Sequence, residues 1–495
     1  MSSAENRDGH EAADDRKRPI LVLLTSHWVS MTGVALVTLA GFSWLFVLPA
    51  NIHGHVSNPY IGLLVFVAIP AILFAGLALI PIGIALSRRR VSAGFSSAID
   101  QRSAWRRAGI FFAVMTFANL VIGSQVSYRA VEHMETVQFC GQTCHVMKPE
   151  FTAHLQAPHR EVKCASCHIG PGATGWLKAK LSGTRQLLAV TFDTFPRPIE
   201  SAIETNRLIP SADSCEQCHS REKTIGPRLV TSSKFKDDEA NTRTETALMM
   251  LVGGGKSGGI HGAHMGPGVQ IRYAVSDKKR HEIPWVEYRN AETGVTRAYT
   301  AGDTKPEAIR GMPTFEMQCV DCHNRAAHSF QMADRALDDA MARGEISTGL
   351  PFLKKTGLDL LKTVYTSDDE ATRKIPEALS AYYRRAYPAV ASERATEIQA
   401  AGRTLLDIYR RNVFPDLKVT WGTYANHLGH VDDPGCFRCH DEGHTTADKK
   451  TITQDCSTCH QSLAVEEASP DILKTLGVTN RVAEASSKNT EARKQ

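Results

Sequence analysis

Three stretches within the first 130 or so residues carry almost no charge. They run from Met31 to Ala50, from Tyr60 to Leu86 with Pro70 and Pro81 inside, and from Ala108 to Gly123. Each approaches or exceeds the ~20 residues that cross a bilayer core at ~1.5 Å rise per residue. Prolines are tolerated in such helices because neighbouring groups re-satisfy the freed backbone. The alternative is three buried helices, or a signal peptide for the first. Two further spans follow it, however, and no small-residue cleavage site stands out. The pattern therefore predicts transmembrane helices at about 30–50, 60–86 and 108–127, behind an N-terminal tail at 1–29.

Beyond the last span the pattern changes. Residues 330 to 412 show helical periodicity with few glycines, which predicts surface helices. The stretch 269–299 alternates well enough for short strands. After about Glu467 the chain turns polar, and a disordered tail over 466–495 is expected. The expected fold class is mainly α. A three-helix membrane anchor leads into a loop-rich domain at 128–329, a helical insertion at 330–415 and a C-terminal segment at 416–465, with room for a few short strands.

Charge gives the anchor a direction. The chain has 495 residues, a net charge of +5 and 22% charged residues, so no nucleic-acid partner is expected. The basic residues are unevenly placed. Arg7, Arg16, Lys17 and Arg18 precede the first span, whereas the loop Asn51–Pro59 holds no Lys or Arg. The next loop carries Arg88, Arg89, Arg90, Arg102, Arg106 and Arg107 against a single Asp100. By the positive-inside rule the N-terminus and this arginine loop are cytoplasmic, and everything after about residue 128 lies on the far side.

All twelve cysteines fall into close pairs. Five pairs match Cys-x-x-Cys-His: Cys164/Cys167/His168, Cys215/Cys218/His219, Cys319/Cys322/His323, Cys436/Cys439/His440 and Cys456/Cys459/His460. In c-type haem attachment two thiols add across the two vinyl groups of one haem, and the next histidine turns its imidazole to the iron. Zinc binding or thioredoxin-like redox chemistry would leave the recurring histidine unexplained. The sixth pair, Cys140 and Cys144 followed by His145, has three residues in the spacer. One extra residue fits a bulged turn, so six haem c groups are expected. A local disulfide or free thiols would make it five.

These motifs resemble the NapC/NirT/NrfH family of membrane-anchored multihaem cytochromes that oxidise quinols. Members have one N-terminal span and four haem sites, the first of form Cys-x-x-Cys-His-x-Met. Cys140 to Met147 resembles that site with one residue inserted, and Ala157–His159 resembles a small-x-His element that follows it. Cys164–His168 matches the second site, and the stretch from Gly175 resembles the helix after it. Cys319–His328 resembles the fourth site, with a distal histidine five residues past the proximal one. Lys180 stands where the family has a lysine near the quinol pocket, while Gln186 replaces an expected acidic residue. Three spans, a long interval before the fourth site and two added C-terminal sites are further departures. A group of longer NapC/NirT-like cytochromes, including an inner-membrane type used in respiration of extracellular acceptors, shares more. Its recurrent stretches resemble Gly253–Gly255, Gly259–His261, Ile283–Val286, Asn412–Pro415, Trp421–Tyr424 and Pro434–His440.

The resemblance implies a quinol-oxidising conduit in the inner membrane with a periplasmic haem domain. Its partners would be membrane quinol, the lipid bilayer, and a periplasmic or outer-membrane-directed cytochrome or reductase. Lys180 and Gln186, with Arg185 nearby, are the expected quinol contacts. Low-spin haems need a second axial ligand, usually His or Met. Met147 is expected at the first site, and His159 and His328 are expected from family position. His261 or His264 is the candidate for the third site; His444 and His427 or His430 are the candidates for the last two. His133, His154, His281 and Met265 complete the pool. Two rivals are a reductase of a small nitrogen or sulfur oxyanion, which needs an open axial place, and a passive electron-transfer subunit. The run Gly253–Gly259 lacks the first glycine of a phosphate loop, since Met250 stands there, and reads as a plain loop.

Overall fold

The structure is a computed structural model, and it describes residues 24–25, 27–51, 68–91, 98–302 and 304–478. The chain divides into two compact units, Met1–Thr143 and Cys144–Gln495.

The first unit holds three helices: α1 (Trp28–Asn51), α2 (Ile69–Val91) and α3 (Ala98–Met134). Two stretches, Ile69–Leu86 and Trp105–Met134, are long and apolar enough to cross a membrane; the apolar stretch described in α1, Trp28–Ser43, is shorter. Helices α1 and α2 pack closely through small residues. A Cβ on Gly33 would stand 2.8 Å from the Gly76 carbonyl oxygen, and one on Gly83 would overlap the Ser30 backbone. By contrast α3 leaves Phe117 70% and Leu120 66% exposed, which suits a lipid-facing surface. The expected N-terminal tail up to residue 23, the start of the second span at 60–67 and part of the arginine loop lie outside the described residues.

The second unit begins with α4 (Lys148–Gln156) and α5 (Gly172–Thr191). Two antiparallel sheets follow. One has the order β1 (Arg228–Phe235), β2 (Arg243–Met250), β8 (His460–Glu467). The other runs β6 (Thr314–Glu316), β3 (Val269–Ala274), β4 (Trp285–Asn290), β5 (Val295–Ala301), β7 (His444–Thr445). The short helix α6 (Gly259–Met265) lies between β2 and β3 in the chain. Pairing of Met250 with His460 brings the last cysteine motif back to the middle of the unit.

Four amphipathic helices form a core of their own: α7 (Ala333–Ala342), α8 (Leu353–Lys362), α9 (Asp368–Ala386) and α10 (Ala395–Asn412). Apolar residues at helical spacing, such as Ile375, Leu379 and Tyr383 on α9 and Ile398 and Leu405 on α10, meet in one cluster. Ser367 caps α9 by accepting from Glu370 N at 3.1 Å, and acidic residues fill the first turn. Pro376 within α9 is accommodated because Gly402 on α10 has no side chain; a Cβ there would stand 3.0 Å from Pro376 Cα. A buried ion pair, Lys354 Nζ to Asp338 Oδ1 at 2.6 Å, ties α8 to α7, and Asp338 also accepts from Phe235 N of β1.

The described residues are about 51% helical with some strands, which agrees with the mainly helical class, and the strands form two sheets. Strands β3 to β5 fall in the alternating stretch, but β1 and β2 carry polar residues on both faces, so no clean alternation marks them. One sequence expectation needs correcting: the expected tail is ordered further than its polarity suggests. Strand β8 runs to Glu467, and α11 (Asp471–Thr475) buries Leu473 against Ala247 and Ala464. Residues 479–495 lie outside the described residues.

Candidate functional site

Each Cys-x-x-Cys-His segment folds into one tight turn. The amide of the histidine donates to the carbonyl of the first cysteine in four of them: His168 to Cys164 at 3.1 Å, His219 to Cys215 at 2.9 Å, His323 to Cys319 at 2.8 Å and His440 to Cys436 at 3.1 Å. In the last segment Cys459 N donates to Cys456 O at 3.1 Å, and His460 opens β8. The odd segment answers its extra residue with a π-helical turn at Phe139–Thr143 followed by a 3-10 turn at His145–Met147. A π turn takes one more residue per hydrogen-bonded ring than an α turn, and it recurs at functional sites. The unit boundary falls between Thr143 and Cys144. Among the described residues, which include all twelve cysteines, no disulfide forms.

Every other motif histidine faces a second imidazole. The ring centres of His168 and His328 are 6.2 Å apart, His219 and His159 6.0 Å, His323 and His261 6.1 Å, His440 and His264 5.7 Å, and His460 and His430 6.3 Å. Two imidazoles bound on opposite sides of one metal, at ~2.0 Å from each nitrogen, stand about 6 Å apart between ring centres. Hydrogen bonds aim several of these rings. Nδ1 of His159 meets the Ala326 carbonyl at 3.0 Å, that of His328 the Glu150 carbonyl at 3.0 Å and that of His264 the Ile260 carbonyl at 2.7 Å. A proton on Nδ1 leaves the Nε2 lone pair for a metal. Burial pushes His328 down to about 4 and holds His168, His264 and His323 below the usual imidazole range, so these rings are neutral at ordinary pH. Neutral imidazole is the ligating form.

The pairs form a series in chain order. Cys167 neighbours Cys215, which stands beside Cys319. Cys322 neighbours Cys436 and Cys439, and Cys459 neighbours Cys436. Five two-histidine sites thus run side by side from the second motif to the sixth. Among the described residues no three His, Cys, Asp or Glu side chains converge as a cation cluster. The donors fit planar groups held at two axial positions.

Cys218 is exposed, as are Cys436 and Cys456, whereas the other nine cysteines are half-buried. The cause is local. Residues 217–224 run along the surface with every residue exposed, His219 among them. Within the same motif Cys215 is half-buried beside Cys319. Cys436 differs from Cys218 in standing beside the thiols of Cys322, Cys439 and Cys459 despite its exposure.

The family model for the N-terminal region of the NapC/NirT cytochrome c family matches residues 102–247. The cytochrome c-type protein ImcH of Geobacter sulfurreducens is 38% identical over 455 residues, covering 88% of this chain and 87% of that protein. The chain belongs to the NapC/NirT cytochrome c family. It is accordingly a membrane-associated multihaem c-type cytochrome that carries covalent haem c and transfers electrons. No solved structure matches it significantly.

Several expected distal partners fall elsewhere. His261 and His264 face the fourth and fifth motif histidines, and His159 takes the third. His444 is spoken for: Nδ1 meets Asp441 at 2.8 Å and Nε2 meets the Ile283 carbonyl at 2.6 Å, so neither nitrogen is left for a metal. His427 faces His281, which no cysteine pair announces, at 5.8 Å. His154 stands 5.9 Å from His328 and has a buried Nε2 without a partner.

On α5 an apolar stripe of Trp176, Leu177, Leu181, Leu187 and Leu188 is exposed, with Leu181 at 65% and Leu187 at 66%. Lys180 lies within this stripe, its Nζ 5.5 Å from the centre of the Trp176 ring. Gln186 is six residues on, about 120° round the helix at ~100° per residue, and donates to Ser182 Oγ at 3.3 Å. The two expected quinol contacts therefore do not share a face.

Proposed function

We propose that this cytochrome is a hexahaem quinol dehydrogenase of the inner membrane that passes electrons to a periplasmic or outer-membrane-directed acceptor. Covalent haem would supply the one-electron chemistry. The observation that carries the reading is the continuous series of two-histidine sites, each beside the next through its cysteines. The chain's residues supply spacing, axial ligation and a low-dielectric surround. Cys140 and Cys144 would hold the sixth haem through the π turn, with His145 and Met147 as candidate ligands; a thioether ligand raises the potential.

The amphipathic face of α5 suits the boundary between headgroups and acyl chains, where quinol is met. Lys180 within it is placed to hydrogen-bond a quinol oxygen and to stabilise the negative charge left when a proton departs. Basic residues before α1 and between α2 and α3 support an N-terminus in the cytoplasm and a haem domain in the periplasm. The reductase rival needs an open axial place, and five motif histidines already face a second imidazole.

The test is reduction of the purified protein in proteoliposomes by a reduced menaquinone analogue, followed by the absorbance of ferrous haem. Reduction by quinol within seconds supports the reading. Reduction by dithionite but not by any quinol would favour a passive carrier. Intact mass of the same preparation counts covalent haems, six if Cys140 and Cys144 are an attachment site.

A further inference from the structure

One histidine pair belongs to no attachment motif. His281 and His427 face each other with ring centres 5.8 Å apart, within the range of the five motif pairs. His427 is only 3% exposed, and neither of its ring nitrogens has a hydrogen-bond partner. The Nε2 of His281 is likewise buried without one. The Asp321 carbonyl, which accepts from Arg438 Nη2 at 2.7 Å, also lies near the His427 ring, and its second lone pair can take one imidazole N–H. That leaves one nitrogen on each ring; an unsatisfied buried polar atom costs about 1–3 kcal/mol, so two in one contact call for an occupant.

The donor set narrows its chemistry. Two imidazoles fill only half of a tetrahedral cation site, and among the described residues no third His, Cys, Asp or Glu joins them. Two opposed imidazoles do complete an iron whose other four ligands are porphyrin nitrogens. Charge points the same way. Arg438 and Arg325 lie close enough to His427 to be felt by its ring. Arg438 spends its hydrogen bonds on the carbonyls of Gly435, Arg280 and Asp321, which leaves its charge for an anion. Two guanidinium groups disfavour a bare divalent cation but suit a porphyrin bearing propionates. Neither histidine follows a cysteine pair, so no thioether would form.

We propose that His281 and His427 bind one additional, non-covalent haem of the b type through both axial positions. It would sit beside the fourth and fifth attachment motifs, since Asp321 belongs to one and Arg438 to the other.

The experiment uses the full-length membrane protein matured with its covalent haems. Acidified acetone extracts haem b and leaves haem c on the chain, while intact mass counts only the covalent groups. The expected result is about one extractable haem per chain in the native protein, and a loss of ~10-fold or more in both His281→Ala and His427→Ala with the covalent count unchanged. A His427→Met variant should retain the haem with a raised potential. Should one alanine variant fail to fold, the other and the native stoichiometry still decide. No extractable haem in the native protein after addition of hemin overturns the proposal. So does haem that survives both substitutions, or a non-iron metal lost on either. Extraction does not register covalent haem, so a failure here is distinguishable from a failure of the quinol reading.

Discussion

The helical insertion and the cysteine-rich region around it solve the problem of a core in opposite ways. Helices α7 to α10 bury Leu337, Leu353, Leu361, Ile375, Leu379 and Leu405 completely against one another. The region from Cys144 to about Ser329 and after Thr420 has, beside its two sheets, only small apolar clusters and buried imidazoles with unused nitrogens. One part can bury enough apolar surface by itself. The other is shaped for prosthetic groups, which would both fill the interior and satisfy the donors. The difference predicts that the two parts depend on different things for stability.

The largest effect should come from withholding haem. Maturation without the attachment machinery, or Cys319→Ser with Cys322→Ser, removes the centre of the series. Amide hydrogen exchange should then show loss of protection over the haem-site segments while α7 to α10 stay protected. Equal loss in both would mean that they are one cooperative unit and would break the comparison.

The converse substitution lies inside the insertion. Asp338→Ala leaves the Lys354 ammonium buried without its partner, and breaking one side of a buried pair costs roughly 3–5 kcal/mol. Leu405→Ala removes a fully buried side chain and should cost ~2–5 kcal/mol. Both should lower the melting temperature of the helices, with covalent haem count and absorbance unchanged. A shift in haem spectra would show that the insertion shapes the sites.

Within the haem sites, His328→Ala should convert one haem of the set from low to high spin, read by electron paramagnetic resonance. Because His328 faces His168, the affected site is the second motif's, although His328 follows the fourth in sequence. An unchanged spin state would point to His154, 5.9 Å from His328, as a substitute.

That last pairing marks where the sequence is legible and where it is not. Five attachment motifs announce themselves because thiols and proximal histidine must be contiguous. Contiguity says nothing of exposure, however: Cys218 is exposed where Cys215 is half-buried. Distal histidines answer only to three-dimensional proximity. His159 and His328 emerge through resemblance, but the pairing of His261, His264 and His430 requires the turns around β2, α6 and the sheet. His444 looks suitable by spacing, yet the Asp441 carboxylate and the Ile283 carbonyl claim both its nitrogens. Strands β1 and β2 are hidden because residues such as Ser233 and Glu245 hydrogen-bond each other across the ladder, where alternation would have put apolar side chains.

The smallest effect is also the sharpest test of α5. The resemblance points to both Lys180 and Gln186 as quinol contacts, but only Lys180 lies in the apolar stripe. Lys180→Ala should lower quinol oxidation by about tenfold, the loss of one hydrogen bond to a charged group, with kcat/KM falling and dithionite reduction unchanged. Gln186→Ala should change the rate by less than about twofold, since its partner is Ser182 on its own helix. Lys180→Arg, which retains the cation, should recover part of the activity if charge is what matters. Equal effects of Lys180→Ala and Gln186→Ala would mean that quinol approaches across the helix rather than along its apolar face.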